Sequence, residues 1–256
     1  MIRSKLILIF SFLLLVNING FSQSLTREWP IWFIHPAEYP QIITGFNYNG
    51  YSAKNNAIDN YDLFKSCKVV GTLYLYTTSH SPDYGRMSNY KYFFVRDTLK
   101  HSIDSLKCID KYMLDVLSDD YFAAFSFDTT QISKGFKKRI TIRKSPKWSR
   151  RSFFSKSDFY YGVGMYTSNG DDDDAWITAE ERGIFSILVQ TNILLFRSKV
   201  SKSNSNGKNS FDDIIAYKLN YSIKNIQIME RYPDEKDNVY YVLVRIKKDD
   251  LKFLEK

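Results

Sequence analysis

The sequence predicts an α+β protein made of two similar modules, each one helix packed on an antiparallel sheet in the order strand, helix, strand, strand, strand. Three observations predict it. Short β-rich runs bounded by Asn, Gly, Pro and Ser turns fill most of the chain. Within 175–190, Ala175, Ala179, Gly183 and Ile187 recur every four residues, which draws a small-residue stripe down one helix face and lets a sheet approach closely. Residue matches also recur between the two halves at offsets of 116 to 122.

Composition narrows the classes. The 256 residues are 44% hydrophobic and 16% aromatic, too apolar for a disordered chain. Two Cys exclude a disulfide scaffold and a Cys₄ zinc site, and three His leave little for a multi-His metal enzyme. The expectation is no cofactor and no metal.

The elements follow in order. Residues 1–22 read as a signal peptide: Arg3 and Lys5 precede an apolar run at 6–16, too short to stay as a membrane span, and Gly20 and Ser22 suit a peptidase cut after Ser22. Removing them leaves 234 residues with 34 Lys and Arg against 28 Asp and Glu, a net charge of +6. No Cys near the cut offers a lipid attachment point, and no later segment reads as transmembrane.

Residues 28–128 form the divergent N-terminal module, 129–157 a basic linker, and 158–250 the C-terminal module. In the latter, 160–168 reads as a strand, 175–190 as a helix and 192–201 as a strand. Residues 211–221 are ambiguous, and 224–232 with 239–247 read as a hairpin around the Pro-Asp-Glu-Lys-Asp-Asn turn at 233–238. The first half matches this order. Pro30 and Trp32 pair with Pro146 and Trp148, Gly45 with Gly164, and Ala53 and Ala57 with Ala175 and Ala179. Ser102, Ile103, Tyr112 and Tyr121 pair with Ser222, Ile223, Tyr232 and Tyr241.

The Pro146-x-Trp148 motif, the strand Tyr161-Gly162-Val163-Gly164, the Ala175/Ala179 helix and the closing strands with Glu230-Arg231 and 240–245 resemble the LPP-twenty lipoprotein family of exported bacterial envelope proteins. The resemblance covers about 110 residues of the second half and only faintly the first. It implies a dodecin-like domain, one helix across an antiparallel sheet, and supplies no catalytic residues. The chain departs from that family in lacking a lipid-bearing Cys.

The strongest chemical feature is basic. Between 129 and 157 there is no acid and there are ten Lys or Arg, with Phe136, Trp148, Phe153 and Phe154 interleaved. Lys137, Lys138, Arg139, Arg143, Lys147, Arg150 and Arg151 are the candidate binding residues. Cations beside aromatics suit phosphates, anionic lipid or an acidic polymer. A solvated linker whose charge serves solubility is the bland alternative. Export disfavours nucleic acid, so the expected partner is an envelope protein or an anionic envelope polymer or lipid.

Other chemistry is weaker. Asn169, Asp171, Asp173 and Glu180 fall at calcium-loop positions, but Asp174 stands where the loop needs Gly and the segment reads as helical, which favours capping. Cys67, placed late in the first helix, and Cys108 both match apolar positions in the second half. They are expected as core thiols, with a disulfide between them as the other outcome that export permits. His35, His80 and His101 share no spacing, and no nucleophile or phosphate-loop motif occurs. The expected function is therefore a non-catalytic envelope protein, periplasmic, outer-envelope associated or secreted, acting as a binding or assembly factor. A hydrolase with a dispersed His/carboxylate site, or a glycan-binding adhesin using the Tyr-rich loops near 46–51 and 84–92, are the alternatives.

Overall fold

The computed structural model describes residues 27–47, 51–78, 86–96, 103–115, 120–130, 132, 135–168, 172–200 and 212–254. Residues 1–22, His80, His101, Asn169, Asp171, and the Tyr-loop residues Tyr48 and Tyr84 lie outside them. The fold is mixed α+β, its sheets antiparallel, with three α-helices among the described residues.

Two glycine contacts set the layer spacing. Strand β2 (Ile43–Asn47) lies under helix α2 (Ala53–Lys65). A Cβ on Gly45 would sit 1.9 Å from the Ala53 carbonyl oxygen. Strand β9 (Phe159–Thr167) lies under helix α3 (Asp172–Val200), where a Cβ on Gly164 would sit 1.8 Å from the Ala179 oxygen. Only residues without a side chain allow such backbone-to-backbone contact. Ala175 and Ala179 are fully buried, so the small-residue stripe does face the sheet.

Strand β2 pairs with β6 (Asp120–Ser126), and β6 with β5 (Lys107–Asp115), giving the order β5-β6-β2. The second sheet runs β11-β12-β9-β8, from β8 (Phe153–Lys156), β11 (Gln227–Asp234) and β12 (Val239–Lys247). A third sheet takes strands from both halves. Strand β3 (Ser66–Thr78) and β10 (Asp212–Lys224), thirteen residues each, pair along their whole length from Ser66↔Lys224 to Thr78↔Asp212. Strands β4 (Arg86–Arg96) and β13 (Leu251–Phe253) flank them. The segment 129–157 is paired into the fold: its β7 (Arg139–Thr141) pairs with β1 (Glu28–Pro30), and β8 pairs with β9.

The core is aromatic. Trp29, Trp32 and Phe33, on β1 and the short helix α1 (Ile31–Ile34), cover the β5-β6-β2 face opposite α2. Phe33 stacks on Phe122 with centroids 3.9 Å apart, and Trp176 of α3 meets Phe33 edge-on at 5.1 Å. A buried ion pair sits beside them. Arg231 on β11 gives Nε and Nη2 to Glu180 Oε1 of α3 at 2.9 and 2.6 Å, and Nη1 to the Phe33 carbonyl at 2.8 Å. One side chain thus ties together three elements distant in sequence.

Two expectations are corrected and one open reading is settled. The 192–201 segment is helical to Val200, not a strand. Thr191 returns its hydroxyl to the Ile187 and Leu188 carbonyls, and an apolar run such as 193–196 suits either state. Of the ambiguous 211–221 stretch, residues 212–221 lie in strand β10. Cys67 belongs to β3 because α2 ends at Lys65 and Ser66 is already extended.

Candidate functional site

Two tryptophans fasten the basic segment. Lys147–Arg150 form a single 3-10 turn after Pro146, and the Trp148 indole donates to Glu230 Oε2 at 2.7 Å. At the other end Phe136 is buried and stacks on Trp32 at 5.9 Å. The Trp32 indole and Arg139 Nη2 both donate to Asp110 Oδ2 at 2.9 Å. Buried indole N–H groups need such acceptors, and these two carboxylates supply them.

Arg139 is therefore not available to a ligand: it is paired with Asp110 and sits 5.8 Å from the Tyr112 ring. Lys137, Lys138, Arg143, Lys147, Arg150 and Arg151 are exposed, and among the described residues none has a carboxylate at ion-pair distance. Arg151 lies 5.5 Å from the Phe154 ring.

The 3-10 turn packs on β12. Along β9 and β12, Gly162, Gly164, Val242 and Val244 face α3, so Tyr161, Met165, Tyr241 and Arg245 face the other way. This open side carries rings. Phe154 stacks on Tyr161 at 4.6 Å, Tyr232 lies 5.8 Å from Tyr241, and Arg245 sits 4.4 Å over Phe159. Burial pushes the Tyr232 and Tyr241 phenols up, and Asp234 adds to the effect, so both stay neutral hydrogen-bond donors at ordinary pH. Cations set beside half-buried rings suit polyanionic or sugar-like surfaces.

A groove of about 630 Å³ opens where α2, β2 and the start of β11 meet. Lys65, Gln227 and Arg245 give it a positive, polar lining, with Ile42 and Phe64 as apolar wall. Most of its polar groups already have partners: Asn60 donates to Thr44 and Asn56, Arg245 to Gln227, and Arg231 to Glu180. It can hold a small ligand but presents no assembled reacting group.

The remaining candidates are dispersed. His35 Nδ1 is 4.0 Å from Glu230 Oε1, a carboxylate already held by Trp148. Glu180, the twelfth position of the calcium-like run, is buried on a helix and taken by Arg231; burial pushes its carboxyl up while the guanidinium opposes that. Asp172 accepts from Ser168 and Arg27. Cys67 is buried, but Cys108 is exposed, contrary to the expected core position, since β5 is an edge strand. Both are unbridged thiols on different sheets, and burial followed by Asp110 pushes the Cys108 thiol up.

The sequence gives no sign of Asp110 and offers Glu230 only as part of the family resemblance, although their spacing of 120 equals that of Tyr112 and Tyr232. Among the described residues no helix is long and apolar enough to cross a membrane. No family model, curated protein or solved structure matches the chain.

Proposed function

We propose that this chain is an exported, non-catalytic cell-envelope protein, similar to the LPP-twenty family, built from two copies of one module and binding an acidic envelope polymer. The observation that carries the binding is that Lys137, Lys138, Arg143, Lys147, Arg150 and Arg151 are exposed, with no carboxylate at ion-pair distance among the described residues, on a segment held against the fold by Trp148. Several cations on one fastened segment meet a polyanion with less ordering cost than a free linker would.

Duplication is supported by the register. The sheets β5-β6-β2 and β11-β12-β9 share one strand order. Both edge strands carry a bulge, at Cys108/Asp110 and at Ile228/Glu230, and each bulge presents the carboxylate that receives the Pro-x-Trp indole. Gly45 opposite Ala123 and Gly164 opposite Val242 occupy like positions. Three of the sequence matches shift, the two alanine pairs together. Ala53 corresponds to Ala179, one turn along the helix, because these are the carbonyls that the two glycines meet. Phe122, opposite Tyr112, corresponds to Tyr241, opposite Tyr232. Ile103 opens a 3-10 turn whereas Ile223 lies in β10, so that match lapses.

The test is binding to a soluble uronic-acid polysaccharide. Reversing Lys137, Lys138, Arg143, Lys147 and Arg150 to Glu together, with Arg139 kept, should weaken binding more than about tenfold at an unchanged melting temperature. Equal binding by both proteins, or none by either, overturns the reading.

A further inference from the structure

The third sheet has a face that no other described element covers. On β3, Cys67 and Val69 are buried while Lys68 and Val70 are exposed; on β10, Leu219, Tyr221 and Ile223 are buried while Lys218 and Lys224 are exposed. On β4, Tyr92 turns inward to stack on Phe185 of α3 at 4.5 Å, which turns Lys91, Phe93 and Val95 outward. The register assembles these into rows: Lys91–Thr72–Lys218, then Phe93–Val70–Asn220, then Val95–Lys68–Ser222–Lys252.

The centre of that face is apolar, with Phe93 69%, Val95 50% and Val70 44% exposed. The four lysines of these rows and Lys224, one row further on opposite Ser66, make five around it, and no carboxylate stands in the three rows. None of the five makes an ion pair among the described residues. Exposed apolar side chains grouped on a monomer mark an interaction surface.

We infer that this face docks the protein on the surface of an anionic phospholipid bilayer, Phe93, Val70 and Val95 entering the headgroup boundary and the lysines meeting lipid phosphates. The residue types decide between a membrane and a protein partner. Protein interfaces favour Arg, Tyr and Trp and are poor in Lys. Here all the cations are Lys, flexible point charges that suit a diffuse layer of phosphates and whose stems lie along apolar surface while the heads reach the interface. The face is also a sheet, broad enough to lay several strands against a planar target. The proposal does not use the 137–151 segment.

The experiment is vesicle flotation of the protein as purified from its expressing cell, using phosphatidylcholine vesicles with and without phosphatidylglycerol. Binding should require phosphatidylglycerol and fall with salt. Lys68→Glu with Lys224→Glu should weaken it by more than about 25-fold, taking roughly fivefold per lysine near an anionic surface. Phe93→Ser should weaken it by about tenfold. These positions are exposed, and far-UV circular dichroism should show the fold unchanged. Lys147→Glu with Arg150→Glu, in the segment assigned to the polymer, should weaken vesicle binding less than the Lys68→Glu/Lys224→Glu pair does. Absence of phosphatidylglycerol-dependent binding, or a loss caused by the segment variants while the sheet variants bind normally, overturns the inference. So does capture of a soluble acidic protein by a face that leaves the vesicles untouched.

Discussion

Breaking the Glu180–Arg231 pair from its two sides should give unequal losses. Glu180→Leu leaves the Arg231 guanidinium 2% exposed, with the Phe33 carbonyl as its remaining hydrogen-bond acceptor among the described residues and the Phe33 ring 4.5 Å away. Arginine keeps its proton in proteins, so that charge stays uncompensated and the expected cost is about 3–5 kcal/mol. At roughly 2–4 °C per kcal/mol for a chain of this size, the melting temperature should fall by on the order of 10 °C. Arg231→Met instead strands a carboxyl that burial already pushes up, and it can escape by taking a proton, so about half that loss is expected. The sign with pH follows. A carboxyl whose folded pKa lies above its unfolded value favours folding below the unfolded pKa and loses that contribution as pH rises through the folded one. The Arg231→Met protein should therefore regain stability on going from about pH 7 to about pH 5. The double variant Glu180→Leu/Arg231→Met removes both charges and leaves only the Phe33 carbonyl unmet, about 1–3 kcal/mol, so it should be more stable than Glu180→Leu alone. Thermal melts by circular dichroism at several pH values read all of this. Equal losses from the two single changes at neutral pH would refute the reasoning.

Gly164→Ala should destabilise by about 1–3 kcal/mol in a denaturant melt, because its Cβ would fall 1.8 Å from the Ala179 carbonyl and α3 must move off β9; an unchanged midpoint would speak against the close contact. Native alkylation should label Cys108 alone, and slowly at neutral pH because its thiol is pushed up, with Cys67 joining only on unfolding; mass spectrometry counts the labels. Burial pushes the Tyr112, Tyr221 and Tyr240 phenols above their ordinary value, and for Tyr240 a hydrogen bond to Asp172 adds to it. Their stabilising contribution is present below about pH 10, where unfolded tyrosine titrates, and is lost as pH rises beyond it. Tyrosinate absorbance should then appear together with unfolding, and early titration of these phenols without unfolding would contradict it.

Where side-chain period and turn chemistry were strong, the sequence was readable. Strand β9, the hairpin β11–β12 and the stripe of Ala175, Ala179 and Gly183 follow from alternation, from the polar turn residues that end at Asn238 and from spacing of four. The end of α3 was not readable, since an apolar run after Asn192 satisfies either period. Nor was Cys108, whose exposure depends on β5 lying at a sheet edge. Among the candidate cations, composition treats Arg139 and Arg143 alike; only the neighbouring Asp110 separates them.

By itself the sequence determined the α+β character, the helix face that meets a sheet and the concentration of positive charge between 129 and 157, because all three are local in the chain. The tertiary structure decided what is brought together across long separations: β3 against β10, Arg231 against Glu180 and Phe33, and each Pro-x-Trp indole against a bulge carboxylate. Those pairings depend on which surfaces remain unsatisfied after each element has formed, and that is a property of the assembled fold. The same reason hid the lysine-rimmed face. Its residues alternate with buried ones along three strands, and only the register gathers them on one side.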